Sequence, residues 1–283
     1  MGKLFLIDAY SQIYRVFYAI RQLTNARGQP ANALYGMARL FLQLDEMQPS
    51  DYGAIIYDLG KCTRRTALLP EYKAQRPPMP EELRSQTAAI REWADAFGWN
   101  IVDRQGYEAD DLIAGLVSQR GPNQAIILTG DKDLFQLLEA PDVRILLHGK
   151  DKTPWIVADA AVARDKFGVE PAQIRDYLAL LGDTADNIPG IPGCGPRPPP
   201  SSWGTTVRST ACWDTSASSK TQSFATLWPP KPNISGEISR WYNSTRPCPK
   251  TGLAWRACDA EHPTGAESCA SAKNRASNPS PKR

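Results

Sequence analysis

The chain has 283 residues, 42% hydrophobic and 22% charged, which is ample for a sizeable core, and its formal net charge is only +3. That total hides a split: residues 1–193 carry 21 Lys and Arg against 25 Asp and Glu, whereas residues 194–283 carry 12 against 5. The start MGKLFLIDAY is too short an apolar run for a secretion signal, no stretch could span a bilayer, and six cysteines without a CxxC pair beside two histidines speak against a zinc site or a disulfide framework. A soluble, cytoplasmic protein is expected.

In chain order, KLFLIDA (3–9) reads as a strand and ALYGMARLFLQLDEM (33–47) as a helix. The strand YGAIIYDL (52–59) is followed by the basic, proline-braked stretch PEYKAQRPPMPEEL (70–83) and the helix EELRSQTAAIREWADAF (81–97). WNIVDR (99–104) and QAIILTGD (124–131) are strands separated by the helical EADDLIAGLVSQ (108–119). KDLFQLL (132–138) has helical spacing, VRILLH (143–148) is a further strand, and the helices DAAVARDKFG (159–168) and PAQIRDYLALLGD (171–183) follow. Strands that are apolar throughout and alternate with helices predict an α/β fold, with a mostly parallel central sheet covered by helices on both faces.

From Arg197 the grammar changes. Twelve of the 24 prolines follow Gly193, five of the eight tryptophans are scattered there, and Leu, Ile, Val and Phe together number six between Arg197 and Arg283. That composition cannot repay the entropy of ordering the segment. The expected division is an ordered part, 1–196, and a disordered, basic, Pro- and Ser-rich tail, 197–283.

The acidic residues of the first part sit at element ends. Asp8 and Asp58 end strands, Asp131 and Asp133 follow one, Glu108, Asp110 and Asp111 open a helix, and Asp183 and Asp186 follow the helix ending LALLG. The carboxyl ends of parallel strands share one crevice, where ligands bind. Nine carboxylates near one crevice call for cations, and hard oxygen donors suit Mg²⁺ or Mn²⁺. Two-metal hydrolysis is the chemistry suggested. Taken singly, each Asp is also explained as a helix cap or turn former, and the Glu108–Asp111 group as helix N-terminal charge. Tyr72, Lys73 and Arg76 could serve a phosphate-bearing substrate, the cations as a clamp and the ring as a stacking surface for a base. Arg15, Arg64 and Arg65 are further candidate phosphate contacts, although such residues also simply face solvent.

The segments LFLIDAYSQIYRVFYAI, YDLGKCTRRTALLPEYKAQRPPMPEEL, GYEADDLIAGL, LTGDKDLFQLL and LLGDTADNIPGIPGCGP closely resemble, in order and spacing, the 5′-nuclease family. That family includes the 5′–3′ exonuclease domain of bacterial DNA polymerase I, its free-standing homologues and the flap endonucleases. The resemblance covers about residues 3–196. It implies a PIN-like fold, two divalent ions, and hydrolysis of DNA at 5′ ends, flaps or nicks in replication and repair, with no small-molecule cofactor and no indicated protein partner. By position, Asp8, Asp58, Glu108, Asp110 and Asp111 would serve the first metal region, and Asp131, Asp133, Asp183 and Asp186 the second. Lys73 and Arg76 match the basic pair on the scissile phosphate, with Tyr72 the neighbouring aromatic. Gly190, Gly193 and Gly195 would open a helix-hairpin-helix that grips duplex phosphates through backbone N–H groups. Arg64-Arg65 stands where the family usually has Phe-Arg.

The family would continue GIPGxGP with Lys-Thr-Ala and an apolar helix, but here Pro196 is followed by RPPPSSWG. One permitted set of codons for Gly195 to Gly204, given back a single base after Pro196, translates as GPKTAAQLLG. The expectation is an out-of-frame tail, a truncated hairpin and impaired activity. The alternatives are a genuine basic tail that binds DNA nonspecifically, an inactive remnant, or a PIN-like ribonuclease, against which the retained GDTADNIPGIPG speaks.

Overall fold

The structure, a computed structural model, describes residues 2–47, 50–60, 62–149 and 154–190. Gly193, Gly195 and the segment 197–283 lie outside the described residues. Six strands form one sheet in the order β3-β2-β1-β4-β5-β6. They are β1 (Lys3–Asp8), β2 (Tyr52–Leu59), β3 (Asn100–Gln105), β4 (Gln124–Leu128), β5 (Val143–His148) and β6 (Trp155–Ala158). Every pairing is parallel except β5–β6, which is antiparallel. The helices are α1 (Ala9–Ala19), α2 (Asn32–Met47), α3 (Thr63–Leu68), α4 (Glu81–Ala96), α5 (Ala109–Ser118), α6 (Ala160–Phe167) and α7 (Ile174–Leu181).

Strand side chains alternate between two cores. Leu4, Leu6, Ile56 and Ile127 face α5, α6 and α7, whereas Phe5, Ile7, Ile55 and Leu128 face α1, α2 and α4. Both faces are therefore apolar and covered, which is why the strands read as unbroken hydrophobic runs. Each fully buried Leu, Ile or Phe adds about 1.5–3 kcal/mol. The expected α/β architecture with helices on both faces is what forms.

Three elements differ from the sequence expectation. α1 was not evident from periodicity, and begins at Asp8, whose carboxylate accepts from the Ser11 N–H at 3.3 Å. KDLFQLL forms a 3-10 turn, Asp133–Glu139, not an α-helix. β6 adds an edge strand of four residues, where Ile156 and Val157 are exposed and carry no two-sided apolar signal.

Polar side chains lock the face formed by α1, α2 and α4. The Asn32 amide donates to the carbonyls of Phe17 and Ile20, both at 2.8 Å, satisfying orphan acceptors at the end of α1. Its oxygen accepts from Gln86 of α4 at 2.9 Å. Gly36 lets α2 approach α1: a Cβ there would lie 2.6 Å from Val16 Cβ, an atom that no rotamer moves away. Gly36→Ala is accordingly expected to destabilise the fold. Overpacking of about 1–3 kcal/mol outweighs the roughly 1 kcal/mol of helix propensity that alanine adds. A lower denaturation midpoint at unchanged m-value would show it.

His148, at the end of β5, donates from Nε2 to Gln12 Oε1 at 2.7 Å and packs on Trp155, ring centroids 4.4 Å apart. Burial, with the charge of Arg15, lowers its pKa to about 4. The unfolded chain takes up a proton near pH 6.5, before the fold does, so this contribution is full above about 6.5 and is lost as pH falls toward 4. Thermal melts between those values should show an acid slope that is shallower in His148→Gln.

Candidate metal centre

The parallel strands bring their carboxyl ends to one edge, and the chain places acids there from successive crossovers. Asp8 ends β1. Its Oδ2 accepts from the Thr129 hydroxyl at 2.7 Å, and that same oxygen of Thr129 accepts from the Asp131 N–H at 2.9 Å. Asp58, near the end of β2, accepts from the Ala109 N–H at 2.8 Å and so fixes the start of α5. Glu108 precedes α5, with its N–H donating to Asp111 Oδ2 at 3.2 Å. Asp131 Oδ1 accepts from the Asp133 N–H at 2.9 Å. The caps and turns that each acid could serve singly are thus partly real, and coexist with their convergence.

Electrostatics record that convergence. Burial pushes Asp8 up to about 7 against the lowering hydrogen bond from Thr129, and the charges of Asp131 and Asp58 add to the rise. Asp133 is likewise pushed up to about 7, by burial and then by Asp131. Asp110 is driven well above the carboxylate range by burial, Asp131 and Asp8. Asp131 is raised by burial, with Asp186 adding to the rise. Asp111 is raised by burial against Arg65, Arg64 and Lys73. Asp183 goes the other way: burial would raise it, but Lys132, 2.9 Å away, and nearby backbone N–H groups bring it below its usual value.

Basic side chains share the carboxylates. Glu108 receives Tyr72 Oη at 2.9 Å, Lys73 Nζ at 2.7 Å and the Arg65 guanidinium. Arg65 also holds Asp111 at 2.9 Å, and Arg76 pairs with Asp186. As the side chains lie, no three His, Cys, Asp or Glu among the described residues stand close enough together to hold one metal ion. The donor set nevertheless suits a hard divalent cation. It is all oxygen and largely desolvated, and Asp8, Asp110, Asp131 and Asp133 are raised in pKa first by burial and then by neighbouring carboxylates, which is the condition a dication relieves.

Several candidates sit differently from expectation. Arg65 is 2% exposed and committed to Glu108 and Asp111, so it is an internal counter-ion and not a surface phosphate contact; Arg64 beside it is exposed. Tyr72, expected as a stacking surface for a base, is 7% exposed, with Lys73 Nζ 4.9 Å and the Arg65 guanidinium 6.0 Å from its ring centre. Arg15 is exposed on α1 and acts electrostatically on His148, apart from the ion pairs described above. Gly190 packs against the end of α7, where a Cβ would stand 2.1 Å from the Leu181 carbonyl oxygen. Thr129 and Lys132 were not anticipated. Lys132 lies between the two acids of GDKD, which was the available signal.

The family described as "5'-3' exonuclease, N-terminal resolvase-like domain" matches residues 3–168. DNA polymerase I of Caldicellulosiruptor bescii is 39% identical over 198 residues, covering 69% of this chain and 23% of that one. The 5'-3' exonuclease of Aquifex aeolicus is 38% identical over 200 residues, 70% of this chain and 67% of that one. The match thus spans under a quarter of the polymerase. Among solved structures, the zinc-bound T5 5'-exonuclease superposes with a TM-score of 0.58 at 20% identity, over 79% of this chain and 84% of that one. The T5 D15 flap endonuclease, solved as a pseudo-enzyme-product complex with DNA and metal ions, gives 0.53 at 20% identity, over 69% and 72%. At such identities these structures establish the fold. The sequence match supplies the ancestry: this chain belongs to the 5′-3′ exonuclease N-terminal domain family, homologous to the 5′-nuclease domain of DNA polymerase I.

Proposed function

We propose that this chain carries the site of a divalent-metal-dependent 5′–3′ exonuclease or flap endonuclease, which hydrolyses DNA phosphodiesters with two Mg²⁺ or Mn²⁺ ions, and that its activity is impaired by loss of the duplex-binding hairpin. The observation that carries the reading is the desolvated acidic edge. Asp8, Asp110, Asp131 and Asp133 are each driven toward protonation by burial and then by neighbouring carboxylates, beside the loop bearing Lys73 and Arg76. In this reading Asp8, Asp58, Glu108, Asp110 and Asp111 serve a first ion and Asp131, Asp133, Asp183 and Asp186 a second. The chemistry such ions supply is Lewis acidity, which acidifies water and stabilises a leaving oxygen.

The work of the chain's own residues is orientation. Thr129 holds Asp8 and the Asp131 backbone in one hydrogen-bonded unit. With the carboxylates otherwise neutralised, Lys73 and Arg76 are free to leave Glu108 and Asp186 for the phosphoryl oxygens, where they offset developing charge. Gly190, Gly193 and Gly195 offer backbone N–H groups to the duplex, and Arg15 a further phosphate contact. DNA replication and repair in the cytoplasm is the setting that goes with this activity.

One observation favours a second reading. The family match ends at residue 168 and the relatives align over about 200 of the 283 residues, while the composition breaks at Arg197. In this reading 197–283 is an out-of-frame tail, and the chain is an inactive, marginally folded remnant that at most binds nucleic acid through its basic end, steeply dependent on salt and indifferent to Mg²⁺. Cleavage of a 5′-labelled flap duplex by the purified chain decides. Mg²⁺-dependent release of short 5′ products, abolished by chelator and reduced about a hundredfold or more by Asp131→Ala, supports the nuclease. The expected result is weak or no cleavage by this chain and full activity once one base is restored near codon 197. Inactivity of both would sink the proposal.

A further inference from the structure

Tyr72 stands where the two sets of acids meet. Its hydroxyl lies 2.9 Å from Glu108 Oε2, at the head of α5, and 3.3 Å from Asp186 Oδ2, in the loop after α7. All three residues are buried, with Tyr72 at 7%, Glu108 at 5% and Asp186 at 8% exposure. The single phenolic proton is shared between the two carboxylate oxygens, nearer Glu108, and a desolvated hydrogen bond to a charged acceptor is costly to lose, because water cannot replace it. We propose that Tyr72 is a positioning residue, whose hydroxyl sets the spacing between Glu108 and Asp186 and so between the two groups of metal-binding acids. The inference rests on the metal-dependent reading above and deepens it.

The joint is built from both sides. The Lys73 N–H donates to the Asp186 carbonyl at 3.0 Å, the Asn187 amide to the Glu71 carbonyl at 2.9 Å, and the Gln75 amide to the Thr184 carbonyl at 2.8 Å. Lys73 and Asn187, on opposite sides of it, both adopt left-handed backbone, with φ of 55° and 59°. Non-glycine residues hold that conformation when their surroundings over-determine it. The buried Arg65 guanidinium lies 6.0 Å from the Tyr72 ring centre and Lys73 Nζ 4.9 Å from it. Lys73 also spans the two acids, 2.7 Å from Glu108 and 3.9 Å from Asp186. It is a mobile charge that a phosphate would draw off, whereas a neutral phenol has no such competitor and keeps the bridge when substrate arrives.

Tyr72→Phe in the full chain keeps the ring and removes the hydroxyl. Mn²⁺ binding followed by electron paramagnetic resonance should weaken about tenfold, the usual scale for a group that orients a metal ligand. DNA affinity measured in Ca²⁺ should stay within about twofold, and any cleavage by the frame-restored chain should recover with excess Mn²⁺, which a simple loss of folding would not allow. Placing p-aminophenylalanine at 72, which returns an N–H donor, should restore Mn²⁺ affinity. Unchanged Mn²⁺ affinity in Tyr72→Phe, or a loss that the amino analogue does not reverse, overturns the assignment. A loss of DNA affinity alone makes Tyr72 a substrate contact instead. Absence of Mn²⁺ binding by the unsubstituted chain removes the metal reading and this inference together.

Discussion

Like charges crowded into a desolvated edge are the constraint around which this molecule is arranged. Placing Asp8, Asp110, Asp131 and Asp133 among the ends of buried strands raises the pKa of each, and burial is the leading cause in every case. Such an arrangement survives only because the rest of the fold supplies offsets. Arg65 is drawn inside to meet Glu108 and Asp111, Lys132 meets Asp183, and Thr129 donates to Asp8. Caps and turns account for part of their presence, since Asp8 caps α1 and Asp131 accepts from the Asp133 N–H, but four desolvated like charges at one edge cost more than such local bonds return.

The same constraint explains the division of labour among the elements. The sheet is parallel through five strands, so successive crossovers return the chain to one edge and each can deliver an acid there. The two apolar faces do the work of cohesion. The loops 69–76 and 183–190 pack against one another over the acids, joined through backbone and side chain. Position comes from the rigid strands, and charge balance from the loops.

Much of this was legible in the sequence, for identifiable reasons. Two-sided burial makes Leu4 to Ile7 and Ala54 to Tyr57 continuous apolar runs, so the strands announce themselves, and an acid closing such a run is conspicuous. α1 was less visible because its buried face is thin, Ala9, Gln12, Ile13 and Val16, amid partly exposed tyrosines. β6 offered four residues with two exposed apolar side chains, which resembles a loop. At the site, residue types were readable and directions were not. Nothing in PEYKAQR states that Tyr72 turns inward, or that Arg65 lies beneath it, since both outcomes depend on acids contributed from 36 to 114 positions away. Lys132 was hidden by proximity, since a lysine flanked by two acids looks fully occupied by them, yet its partner is Asp183.

The sequence separation of these contacts has a temporal side. Asp8 waits for Thr129, 121 positions later, and Tyr72 for Asp186, 114 positions later. Long-range parallel pairing closes large loops before its contacts return any stabilisation, which slows folding and leaves partly formed edges exposed. A chain emerging from the ribosome therefore carries Asp8, Asp58 and Glu108 through much of its synthesis with neither the later acids nor the lysine that balances one of them. During that interval the edge is half assembled. The constellation closes only when the loop after α7 arrives, so completion of the site and completion of the fold are one late event.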